Sequence, residues 1–167
     1  MLYGWGVAAP AATPHLQKRK EQDLTGKVDY TEQEWMTIVA ALPNATAAVM
    51  MADATSVAEV NKEAAEVSSG LKQGYQENEL INACLHWLEQ DWNMAETRET
   101  TVEMLEVVKQ AGSIVDGKAP VAEAQGFKQF ILSMAEKTAH AFAEKAGKPV
   151  SDREAMVLDQ LKAALGL

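Results

Sequence analysis

The chain has 167 residues, 47% of them hydrophobic but only 6% aromatic, and a formal net charge of −9 from 24 acids against 15 bases. An acidic surface opposes the phosphate neutralisation on which nucleic-acid binding rests, so no nucleic-acid partner is expected. The single cysteine, Cys84, excludes an internal disulfide and gives no sign of an oxidising compartment. This length suits one domain able to bury roughly two-thirds of its unfolded surface. The apolar residues are mostly Ala, Val, Leu and Met, which let helices approach closely.

Residues 1–30 carry no helical or strand period. MLYGWGVAAPAATP is rich in Gly and Pro, a basic cluster at Lys18, Arg19 and Lys20 follows, and EQDLTGKVD leads into the rest. The composition is that of an extended N-terminal arm, either a mobile tail or a docking element. If it docks, Leu2, Tyr3, Trp5 and Val7 are the natural anchors, because aromatic residues dominate interface hot spots. Residues 1–12 lack the basic and continuous apolar stretches of a secretory leader, so the cytoplasm is the expected compartment.

Residues 31–167 read as one helical bundle. Thr31 and Glu34 have capping-box spacing. Behind them Trp35, Met36, Ile38, Val39, Leu42, Val49, Met50 and Met51 point almost all round a helix, the pattern of a helix enclosed by neighbours. Leu42-Pro43 predicts a break or kink in it. Trp35 to Ala52 contains no charge, which reaches the lower limit for a membrane span. Its Pro43, Asn44, threonines and many alanines favour a buried core helix instead, and no membrane span is expected. Asn44-Ala45-Thr46 matches a glycosylation triplet by chance.

Past Asp53, a stripe of Val57, Val60, Ala64, Val67 and Leu71 predicts an amphipathic helix ending at Gly70 to Gly74. Glu77 to about Trp92 predicts the next, with Leu80, Ile81, Cys84, Leu85, Trp87 and Leu88 on one arc and His86 opposite. Thr100 and Glu103 form a second capping box. The helix behind them runs to about Val115, with Asp116-Gly117 as a turn and Pro120 opening the next element. Ala122 to Ala146 places Phe127, Phe130, Ile131, Met134, Ala135, Thr138 and Phe142 on one side, and Glu136, His140 and Glu144 on the other. Ser151 and Glu154 cap a last helix that buries Val157, Leu158, Leu161 and Leu165. The expected fold is therefore an all-α bundle of about five to six helices around a central apolar helix.

Chemistry is sparse in this pattern. His86 and Glu89, and Glu136, His140 and Glu144, lie on polar faces, whereas a metal centre needs three or four convergent ligands. Cys84 faces the core and His86 faces away, so the two do not form a nucleophile and base. No Gly-rich phosphate loop or dinucleotide fingerprint is present. Met36, Met50, Met51, Met104 and Met134 sit on apolar faces as gap-fillers. Trp92, beside Asp91 and Asn93 at a helix end, is a candidate contact residue on the bundle. The expectation is a non-enzymatic accessory subunit, without a cofactor, that docks on a larger protein complex through its arm and Trp92.

Several runs carry a family resemblance: EWMTIVAALP at 34–43, Ala52-Asp53 to Lys62-Glu63, AGSIVDGKAP at 111–120, FKQFILSMAEK at 127–137, and the closing VSDREAMVLDQLKAALGL. With these, residues 31–167 resemble uncharacterised bacterial all-helical proteins similar to the tellurite-resistance (TerB-like) helical family. In that family an Asp-Gly turn and a following glutamate help bind a divalent metal. The resemblance therefore implies an alternative, a metal-binding stress-response protein using Asp53, Glu59 and Glu63. The chain departs from the pattern in having alanine after Asp53.

Overall fold

The computed structural model describes residues 26–53, 78–91, 95–147 and 149–167. The regular elements among them are all helical. A 3-10 turn at Lys27–Asp29 precedes α1 (Glu32–Asp53), α2 (Glu79–Asp91), α3 (Thr101–Lys118), α4 (Val121–Ala146) and α5 (Asp152–Ala164). This is the all-α bundle expected from the periodicity. The amphipathic helix expected over 57–71 lies outside the described residues.

Helix α1 is central because its sequence leaves it no polar face. Every residue from Ile38 to Met50 is buried, and α1 packs against α2, α3, α4 and α5, most extensively against α3. It is long and apolar enough to cross a membrane, yet 78% of its most apolar window is buried inside the protein. Its start is held by the expected box: the Thr31 N–H donates to Glu34 Oε2 at 2.8 Å, and the Glu34 N–H donates to Thr31 Oγ1 at 3.2 Å.

The break expected at Leu42-Pro43 does not occur; α1 continues through Pro43 to Asp53. A proline inside a helix removes one backbone hydrogen bond and costs about 3 kcal/mol. Here the surrounding bundle outweighs that local cost. Asn44 Nδ2 donates to Ala40 O at 2.8 Å, and Thr46 Oγ1 donates to Leu42 O and Pro43 O, both at 3.1 Å. The side chains beside the proline thus keep neighbouring carbonyls occupied.

Helix α3 starts at its Thr100–Glu103 box and also outruns its expected end. Asp116 and Gly117 belong to its last turn and do not form a separate turn. Two tertiary contacts hold that turn helical: Asp116 meets Lys128 of α4, and Lys118 meets Glu34 of α1. Helix α5 starts at Ser151, whose box with Glu154 is complete. Its end is a Schellman motif. Gly166 takes φ +67, a left-handed conformation that suits glycine. The N–H groups of Gly166 and Leu167 return to Ala163 O and Lys162 O, both at 3.1 Å.

The core runs through all five helices and includes Trp35, Ile38, Leu80, Met104, Phe127 and Leu161. Each fully buried side chain of this size contributes roughly 1.5–3 kcal/mol. Met50, Met104 and Met134 are buried as expected of gap-fillers. Tyr30, which sequence places in the arm, is also a core residue at 7% exposure. The described bundle therefore starts before Thr31.

Candidate functional site

The first turns of α1, α2 and α4 and the last turn of α3 meet at one end of the bundle, where the chain enters at Gly26. Lys118 ties the end of α3 to the start of α1. Its Nζ is 2.6 Å from Glu34 Oε2, reaches Asp29 O at 3.5 Å, and lies 5.7 Å from the centre of the Tyr30 ring. The hydrogen bond from Lys118, and next the Thr31 N–H, hold the Glu34 carboxyl at about 2, well below its usual 4.5. Glu34 therefore stays ionised through ordinary acid conditions.

Tyr30 packs on Trp35 with ring centroids 6.2 Å apart and planes tilted by 36°. The Tyr30 hydroxyl and the Trp35 Nε1–H are both buried, with no hydrogen-bond partner among the described residues. Burial, and then the nearby Glu123 carboxylate, push the Tyr30 phenol up to about 12. Cys84 shares this surrounding. Burial first, and Glu123 second, push its thiol pKa well above the usual range. That makes it a poor nucleophile and a fit packing residue.

The same end carries the joint between α2 and α4. Glu123 Oε1 accepts the Leu80 N–H at 2.9 Å, and Asn78 Oδ1 accepts the Ile81 N–H at 3.0 Å. Asn78 Nδ2 donates to Glu123 O at 3.0 Å. The amide lies where a Cβ on Gly126 would come within 2.6 Å of Nδ2. Glycine at 126 thus gives the amide room to cap α2 and bond α4 at once.

Beside Lys118 runs an open groove of about 450 Å³, lined by Glu34 and by Gln110, Ser113, Ile114, Gly117 and Lys118 of α3. Two further polar contacts lie deeper. Asn44 is fully buried; besides its bond within α1, it donates to Glu96 O at 2.9 Å and accepts the Arg98 N–H at 2.9 Å. It thereby pins the segment before α3 to the central helix, and its burial removes the glycosylation reading. Lys128 has a side chain only 3% exposed and is 2.9 Å from Asp116 Oδ1 and 3.0 Å from Oδ2.

Of the residues singled out from sequence, Asp53 is exposed at the end of α1. Glu59 and Glu63, the proposed partners in a metal site, lie outside the described residues. So do Leu2, Tyr3, Trp5, Val7 and Trp92. Among the described residues, no group of three or more His, Cys, Asp or Glu side chains is placed to hold a metal ion. His86 and His140 are exposed, as their faces predict, and His86 Nε2 pairs with Gln90 Nε2 at 3.1 Å.

Sequence reading missed Tyr30, Lys118, Lys128, Asn44, Asn78 and Glu123. Lys128 carried a signal: it falls beside Phe127 and Ile131 on the apolar side of α4, where a charge needs a partner. Asn44 carried a weaker one, as a polar residue in an otherwise apolar helix.

No protein-family model, curated protein or solved structure matches the chain.

Proposed function

We propose that the chain is a non-enzymatic accessory protein: an acidic helical bundle that joins a larger protein complex through its N-terminal arm. The observation carrying this reading is how its buried polar groups are used. Asn44 binds a connecting segment, Asn78 and Glu123 join α2 to α4, Lys128 pairs with Asp116, and Glu154 caps α5. The first three hold one chain segment against another and the last closes a helix start, which is scaffold chemistry. A scaffold of this kind acts through what it presents to a partner.

The arm is the segment with the composition for that contact. Tyr3 and Trp5 are aromatic anchors in a stretch otherwise rich in small residues and proline. No described side chain joins Asp53 in a ligand cluster, so the metal-binding alternative gains no support and is not advanced.

The test compares full-length wild type with a Tyr3→Ala, Trp5→Ala double variant by gel filtration in cell extract, with circular dichroism alongside. The wild type is expected to co-elute with larger protein. The double variant is expected near its own 18.1 kDa mass with an unchanged helical spectrum. Loss of one hot-spot aromatic costs about 2 kcal/mol, or roughly 30-fold in affinity. A double variant that stays with the larger species overturns the arm as anchor.

A further inference from the structure

The residues between Gly26 and Trp35 form a small assembly whose parts differ in how firmly they are held. Gly26 and Asp29 close on each other, the Gly26 N–H donating to Asp29 Oδ2 at 2.9 Å and the Asp29 N–H to Gly26 O at 3.0 Å. The turn is thus a self-contained unit. Val28 on it is 93% exposed, so its one substantial hold on the core is the Tyr30 ring. That ring covers Trp35, yet its burial leaves the Tyr30 hydroxyl and the Trp35 indole N–H without hydrogen bonds among the described residues.

An unmet buried polar group carries a desolvation penalty that water removes once the group is exposed. Docking the ring therefore gains apolar contact and loses hydration at two atoms. The remaining tie is Lys118. It touches the turn carbonyl, the tyrosine face and the start of α1, and its side chain is 37% exposed.

We propose that Gly26–Tyr30 is a releasable latch, with Tyr30 as a plug over Trp35 and Lys118 as the clasp that keeps it docked. Released, the turn carries Tyr30 into water while α1 keeps its own cap, because the Thr31–Glu34 box does not involve Tyr30. The Tyr30 hydroxyl and the Trp35 N–H then both meet solvent. Such an opening is sub-global, separate from unfolding of the bundle. Of the described core residues, Tyr30 comes first in the chain. The latch stands on residues 26–35 and Lys118 and holds whether or not the arm binds a partner.

The test is hydrogen exchange on the full chain by NMR, following the Trp35 indole N–H. Its resonance is assigned by its loss in Trp35→Phe. The backbone N–H groups of Val108 and Ile131 report global opening. Tyr30→Phe removes the unmet hydroxyl but keeps the ring, and is expected to slow indole exchange roughly ten-fold. Lys118→Met keeps the aliphatic stem but loses the charge, and is expected to speed it roughly three- to five-fold. Lys118→Arg is expected to restore most of the slow rate. In wild type the indole N–H is expected to be at least about ten-fold less protected than the two backbone reporters, and its exchange to depend less steeply on urea, because the latch opens without the bundle.

Faster indole exchange in Tyr30→Phe overturns the plug, since the hydroxyl would then be bonded in the native state. An unchanged rate in Lys118→Met overturns the clasp. An indole N–H with the same protection and the same urea dependence as the backbone reporters in wild type overturns the latch altogether, because Tyr30 would then leave only when the bundle unfolds.

Discussion

Lys118 and Lys128 show how one residue type does different work in different surroundings. Lys118 is part-exposed and holds Glu34 in its ionised form. The Glu34 carboxyl has a folded-state pKa of about 2 against an ordinary 4.5. A lowered carboxyl pKa adds stability that is fully present above the ordinary value and is lost as pH falls toward the folded one. Wild type should therefore lose melting temperature between about pH 4.5 and pH 2 more steeply than Glu34→Gln, the two curves converging at the acid end. Parallel curves in thermal melts across that range would remove the linkage. Lys128 is buried, and both carboxylate oxygens of Asp116 meet its ammonium. Asp116→Ala strands an ammonium in the core. We expect a loss of about 2–3 kcal/mol, below the roughly 3–5 kcal/mol of a fully buried pair because Asp116 is half in water. Lys128→Met keeps the stem beside Gly112 and should be close to neutral. Urea denaturation of the two variants checks the order.

At the scale of the element, much of the fold was legible because much of it is local. Three capping boxes, at Thr31, Thr100 and Ser151, were read from spacing alone, since a hydroxyl and a carboxylate three residues apart need only each other. The apolar stripes of α2, α4 and α5 were equally readable. The misreadings came where distant residues decide. Pro43 predicts a break or a kink when taken by itself, and of these the break does not occur, because α1 is enclosed along its middle. Asp116-Gly117 has turn chemistry, but Lys128 and Glu34 hold the end of α3 from other helices. The site was less legible for the same reason. Tyr30, Lys118 and Glu123 meet only because four helix ends converge, and no spacing records that. Asn44 gives the sharpest check on this reading. Asn44→Ala removes both bonds to the segment before α3 and leaves the Arg98 N–H without its acceptor. The expected cost is about 2–4 kcal/mol, from two lost hydrogen bonds plus an unmet group. A cost under about 0.5 kcal/mol by urea denaturation would show that the segment does not depend on α1.

At the scale of the whole molecule, the proposed function divides labour between a bundle that maintains itself and an arm that contacts a partner. The described core residues begin at Tyr30 and form one continuous cluster. The turn before Tyr30 closes on itself at Gly26. A chain lacking residues 1–25 keeps every core side chain named above. Removing those residues tests fold and function in a single protein. The measurement is gel filtration in cell extract paired with a thermal melt followed by circular dichroism. The account predicts that the shortened chain keeps its helical signal and a melting temperature within a few degrees of the full chain, yet elutes alone. A shortened chain that still travels with larger protein, or one that has lost its helices, would contradict it.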